Sequence, residues 1–243
     1  MTTATASIAP LEVRGISLRF GRRPVLRGVD LDVAPGEIVG LVGANGAGKT
    51  TLFQIITGLA DPDGGALRFG GVEVLRVGLE LRAKLGYVTH RPQVYAGLSA
   101  RENLELYAAL RASAGLATLA ADPLLTRFGL EGASDRPAAT FSRGMAQRLV
   151  LARALAARPE LLLLDEPFTA LDRDGRALLA EALAEERSRG AAILLSSHEI
   201  DALAHVADRV LFLHGGVIAG AVTRGAQTAE TFAQAILDGW RQR

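Results

Sequence analysis

The chain carries only two lysines, Lys49 and Lys84, against twenty-five arginines. Lys49 falls in the run Gly43-x-x-x-x-Gly48-Lys49-Thr50, behind the apolar stretch Ile38 to Val42 and ahead of Leu52, Ile55, Ile56 and Leu59 on one helical face. Glycines let backbone N–H groups turn inward around an anion, and the helix behind presents its positive end to the same point. The chemistry is phosphate binding in a P-loop. Gly43, Ala44, Asn45, Gly46, Ala47, Gly48 and Thr51 are expected to form the cradle, and Lys49 would reach the terminal phosphates. The Thr50 hydroxyl completes a magnesium shell, because that hard ion takes oxygen ligands and keeps several waters.

A second reactive run, Leu161-Leu162-Leu163-Leu164-Asp165-Glu166, is an apolar strand ending in two carboxylates. Ligands of open α/β sheets bind at the carboxyl ends of the strands. Beside a P-loop, Asp165 is expected to hold magnesium, directly or through water. Glu166 is expected to accept a proton from the water that attacks the terminal phosphate.

These groups need a rigid frame, and the hydrophobic pattern supplies one. Leu11, Val13, Ile16, Leu18 and Phe20 alternate loosely as a half-exposed strand, and Val25 to Val33 reads as a second, with Gly21 and Pro24 marking the turn between them. Ala66 to Phe69 and Val72 to Val74 flank Gly70-Gly71 as a hairpin. From about residue 89 to 158 the pattern turns helical. Ser99-x-x-Glu102 is a capping box, Asp122-Pro123 starts a second helix, and Ser142 opens a third that Pro159 stops. Strands then alternate with helices: Leu161 to Leu164, a helix near Gly175 to Arg189, Ile193 to Ser196, a helix from Glu199, Val210 to Leu213, and a hairpin at Gly215-Gly216. Such alternation favours a parallel sheet with covering helices.

Composition narrows the partners. At 243 residues, 49% apolar and 22% charged, the chain can bury one substantial core. No apolar run approaches the roughly 18 residues needed to cross a bilayer. A net charge of +1 and 5% aromatics make nucleic acid a poor partner. The chain has no cysteine, which excludes disulfides and thiolate metal sites. Residues 1–10, MTTATASIAP, read as a loose tail without a targeting segment, so a cytoplasmic protein is expected.

The P-loop, the Asp165-Glu166 strand, Phe141-Ser142-Arg143-Gly144-Met145 between them, Thr169-Ala170-Leu171-Asp172 and His198 in LLSSHE resemble the ATP-binding cassette family in order and spacing over nearly the whole chain. The resemblance implies one nucleotide-binding domain over 1–243. Residues 1–88 and 159–243 would form the α/β P-loop NTPase core with its N-terminal antiparallel sheet, and 89–158 the inserted helical subdomain. It implies ATP and Mg2+ as cofactors and ATP hydrolysis coupled to transport. The partners it implies are transmembrane permease subunits on separate chains, at the cytoplasmic face of the cell membrane, and a second cassette that makes a homodimer or heterodimer.

Residue roles follow from the same resemblance. Phe20 matches the aromatic that stacks on adenine, usually tyrosine. Ser142 and Gly144 match signature positions that touch the terminal phosphate of ATP bound to the opposite subunit, whereas Arg143 and Met145 depart from the usual Leu-Ser-Gly-Gly-Gln. Asp172 joins the nucleotide-binding set. His198 matches the histidine that contacts the γ-phosphate and orients the attacking water. His90 stands where most relatives have the glutamine that contacts magnesium and that water; His205 and His214 have no such context. The stretch from Thr89 to Leu110, with FSRGMAQRL and DEPFTALD, looks closest to ATPases of haem exporters of the cytochrome c maturation type, and ATPases of drug and lipid exporters share much of it.

Overall fold

A computed structural model describes residues 11–74 and 78–242. The loose tail expected over residues 1–10 lies outside them. Strands β1 (Leu11–Phe20) and β2 (Arg23–Val33) form an antiparallel pair, followed by β3 (Ile38–Val42) and α1 (Lys49–Ile56). A hairpin of β4 (Gly64–Phe69) and β5 (Val72–Glu73) precedes α2 (Leu79–Ala83) and β6 (Leu85–Val88). Three helices come next: α3 (Ala100–Ala112), α4 (Ala121–Arg127) and α5 (Arg143–Ala156). The chain then alternates through β7 (Leu161–Asp165), α6 (Arg173–Ser188), β8 (Ala192–Ser196), α7 (Ile200–Val206), β9 (Arg209–His214), β10 (Val217–Thr223) and α8 (Ala229–Arg241).

Two sheets result. The first is antiparallel in the order β2-β1-β4-β5; the second runs β10-β9-β3-β8-β7-β6, parallel from β9 to β6 with β10 antiparallel at the edge. Every residue of β3, β7 and β8 is buried. A parallel strand covered on both faces must be apolar throughout, which is why these strands read as continuous Leu, Ile and Val runs. Because side chains alternate, Leu161 and Leu163 join a core shared with the first sheet and α1, while Leu162 and Leu164 join another under α3 to α8. The sheet is thereby clamped from both sides, with its strand ends fixed in register.

Most expected elements are present, and the differences have local causes. Pro24 lies inside β2, opposite Arg19, so the turn is Gly21-Arg22 alone. Pro at an edge position loses no ladder bond. The capping box at Ser99 and Glu102 is complete, and α4 begins at Ala121, two residues before Pro123. Helix α5 ends at Ala156, close before Pro159, whose ring disfavours a helical residue ahead of it; Arg158 takes φ 46°. Strand β6 and helices α2 and α8 were not foreseen. Strand β6 is four residues long, too short for a period, whereas α8 has Phe232, Ala233 and Ile236 buried on one face.

Gly86 in β6 sits where α5 crosses the sheet: a Cβ there would lie 2.8 Å from Leu162 Cδ1 and 2.9 Å from the Ala154 carbonyl. Gly86→Ala should cost about 1–3 kcal/mol by overpacking. A urea midpoint equal to the wild type's would contradict this packing.

Candidate active site

The P-loop links β3 to α1 by a turn that only glycine can make. Gly46 has φ +79° and Gly48 φ +109°, and a Cβ on Gly48 would stand 2.7 Å from Leu26 Cδ2. A Cβ on Gly43 would meet the Leu213 carbonyl at 2.7 Å. Gly48 caps α1 without a side-chain bond, and no acidic residue lies in its first turn. The first N–H groups of the helix and its positive end are therefore free for an anion.

Lys49 is buried, and its Nζ donates to the Gly43 carbonyl at 2.6 Å and to Ala44 at 3.4 Å, with His198 Nε2 at 3.3 Å. Burial holds its pKa below the usual lysine range, while Glu166 and Asp165 pull the other way. Phosphate oxygens would serve this ammonium better than neutral carbonyls, because charge-assisted bonds are the stronger kind.

Strands β7 and β8 pair so that Asp165 faces Ser196. Ser196 Oγ donates to Asp165 Oδ1 at 2.6 Å, and Thr50 Oγ1 donates to Asp165 Oδ2 at 2.6 Å. Both oxygens of this buried carboxylate are anchored, one to the sheet and one to the P-loop helix. Its charge, together with burial, pushes the Tyr87 phenol up to about 12, burial being the larger cause.

Glu166 adopts φ 55°, a left-handed conformation that costs a non-glycine residue about 1–3 kcal/mol. Its N–H bonds to the carbonyl and the hydroxyl of Ser196, both at 3.1 Å, which holds the strained turn in place. Oε2 accepts from the His198 N–H at 3.1 Å. Oε1 is buried without a hydrogen bond; His198 Nε2 is 3.2 Å away but not in hydrogen-bond alignment. A buried carboxylate oxygen left unpaired is costly, and the residue that carries it borders a cavity.

That cavity, about 760 Å³, is lined by Phe20, Arg23, Val25, Ala44 to Thr51, His90, Asp165, Glu166, Thr169, His198 and Glu199. Residues far apart in the chain thus converge on one cavity. Ser142, Gly144 and Asp172 do not line it. Ser142 Oγ caps α5 through the Met145 N–H at 3.2 Å, and a Cβ on Gly144 would meet the Ala170 carbonyl at 2.8 Å. Asp172 was expected to bind nucleotide; within this chain it caps α6 through the Gly175 N–H at 2.8 Å and borders a separate cavity. His205 bonds the Asp201 carbonyl, and His214 packs edge-on against Trp240.

Ser196, Arg23, Thr169 and Glu199 carry no assigned role in the sequence reading, although Thr169 belongs to a quoted motif. Ser196 had a signal, a polar residue ending an apolar strand, but its partner Asp165 is visible only once the register is known. Among the described residues no group of three or more His, Asp or Glu side chains is arranged for a metal. Thr50 and Asp165 still fit magnesium, which takes few protein oxygens and keeps its waters and substrate phosphates.

Residues 26–169 match the ABC transporter family. The chain is 35% identical to the lantibiotic transport ATP-binding protein SrtF of Streptococcus pyogenes, over 86% of this chain and 88% of that protein. It is also 35% identical to the daunorubicin resistance ATP-binding protein DrrA3 of Streptomyces coeruleorubidus, over 91% of this chain and 70% of that one. The solved structure of an ATP-binding subunit of an ABC transporter superposes with a TM-score of 0.78 at 32% identity, covering 93% of this chain and 99% of that chain. Haem export figures in none of these names, so the finer resemblance to haem-exporter ATPases gains no support from them. With its P-loop, paired strand-end carboxylates and His198 gathered around one cavity, the chain belongs to the ABC transporter family as an ATPase subunit.

Proposed function

We propose that this subunit drives export across a membrane by closing on ATP with a second cassette, in the simplest assembly a second copy of itself. The observation that carries the reading is Glu166: a carboxylate anchored through Oε2, with Oε1 free and buried beside Lys49, Thr50 and His198. The base of the nucleotide stacks on Phe20, which lies 61% exposed at the mouth of the cavity. The phosphates enter the Gly43 to Thr51 loop, and Lys49 exchanges the Gly43 and Ala44 carbonyls for phosphate oxygens. Thr50 and Asp165 would hold magnesium, which supplies neutralisation of phosphate charge when bound. Glu166 takes the proton of the attacking water; His198 and His90 position that water.

Ser142 and Gly144 lie outside their own chain's cavity, which fits a role against the nucleotide of the opposite cassette. The exposed Ser142 hydroxyl and the free N–H groups at the start of α5 form an anion-binding end. The nucleotide-binding role of Asp172 rests on the same partner. Nucleotide that binds the closed pair more tightly than the open one shifts the equilibrium to closure, and hydrolysis resets it. Residues 89–158 act as the helical subdomain that carries this motion to permease subunits on the cytoplasmic face. Among the described residues no helix is long and apolar enough to cross a membrane, so the permease is a separate requirement of this reading.

For the cargo, the two named relatives favour a peptide or drug type of exporter. Haem export rests on His90 and its flanking segment alone. His90 in the glutamine position, with Arg143 and Met145 in the signature, also motivates a second reading, a regulatory module with weak hydrolysis. Robust magnesium-dependent turnover excludes it.

Glu166→Gln should keep ATP binding and lower turnover by about 10²–10⁴-fold, trapping a dimer in light scattering. Wild-type turnover in that variant would remove Glu166 as the base. Lys49→Ala should weaken ATP binding itself, and an unchanged affinity by calorimetry would contradict the phosphate site.

A further inference from the structure

The sequence RFGRRPVLR places Arg19, Arg22, Arg23 and Arg27 around one hairpin, although the turn itself needs only Gly21. Arg19 is matched by Asp63, at 3.5 Å. Among the described residues no carboxylate or carbonyl accepts from the Arg23 side chain, and Arg23 is exposed. Its position is specific. Arg23 pairs directly with Phe20 across the β1–β2 ladder, so the two side chains leave the same face of the sheet. Pro24 behind it favours an extended backbone at residue 23, in keeping with its place in β2.

Arg23 also lines two adjoining cavities. One is the 760 Å³ cavity it shares with Phe20, Val25 and the P-loop; the other, about 340 Å³, is bordered by Asn45, Gly46 and Ala47. It therefore flanks the P-loop on the side of the aromatic, whereas Lys49 is drawn among Gly43, Ala44 and His198. An unpaired guanidinium beside a helix N-terminus whose own first turn carries no acid adds positive potential at the mouth of the site.

We infer that Arg23 is a nucleotide-positioning residue that pairs with the phosphate at the nucleoside end of the bound nucleotide, while Phe20 stacks the base beside it. This rests on the nucleotide-site reading above. The group contacted is common to ATP and ADP, because the terminal phosphate belongs to Lys49, Glu166 and His198. Arg23 acts on binding and not on the chemical step.

The test is calorimetric titration of the wild type, Arg23→Ala, Arg23→Lys and Lys49→Ala with ATP and with ADP, at low and high salt. Arg23→Ala should weaken both nucleotides equally, by about five- to tenfold, and Arg23→Lys should retain most of the affinity. The loss should shrink at high salt, since an exposed charge contact is screened. In steady state KM should rise while kcat holds, the mark of uniform binding. Equal affinities within about twofold for Arg23→Ala and wild type would overturn the inference, as would a loss confined to ATP or one indifferent to salt. If Lys49→Ala loses ATP and Arg23→Ala does not, the Arg23 assignment alone fails. If Lys49→Ala binds ATP normally, the site reading fails with it.

Discussion

Two carboxylates stand side by side at the end of a fully buried strand, and the rest of the site is arranged around that fact. Burying charge is unfavourable unless each oxygen is bonded. Asp165 meets the condition through Ser196 and Thr50, and Glu166 through the His198 N–H, which leaves one oxygen unsatisfied. These partners come from three different elements: β8, the start of α1, and the turn into α7. The pairing of β7 with β8 and of β8 with β3 fixes them, so the sheet's register is a condition of the chemistry.

The backbone at Glu166 is the second consequence. A left-handed glutamate is strained, and its N–H is held by both the carbonyl and the hydroxyl of Ser196. In that conformation Glu166 borders the same cavity as the P-loop. Lys49 sits opposite with its ammonium on neutral carbonyls and its pKa lowered by burial. A cation held on neutral groups, beside a carboxylate with one unbonded oxygen, is arranged for a ligand that carries both negative phosphates and a water to be activated.

The core of this fold was legible because its strands are covered on both faces, so Ile38 to Val42, Leu161 to Leu164 and Ile193 to Leu195 stand out as unbroken apolar runs. The glycine spacing of the P-loop was legible for the same kind of reason: Gly46 and Gly48 hold backbone angles that other residues resist. Contacts made by register were not legible. Ser196 reaches Asp165, and Arg23 stands beside Phe20, only after strands have paired. The edge strand β6 is too short to show a period, and the cap that Asp172 makes on α6 within its own chain does not follow from its place in the motif. Motif spacing reports which residues converge on a site; it does not separate those that act there from those that hold a helix end.

In the proposed function this cavity is half of a site, completed by Ser142 and Gly144 from a second cassette. The direct measurement is ATP turnover after mixing two inactive variants, Lys49→Ala and Ser142→Arg. A mixed pair joins the intact P-loop of one chain to the intact signature of the other, so hydrolysis should reappear on mixing. Full activity of Ser142→Arg alone, or no recovery in the mixture, would contradict the shared site.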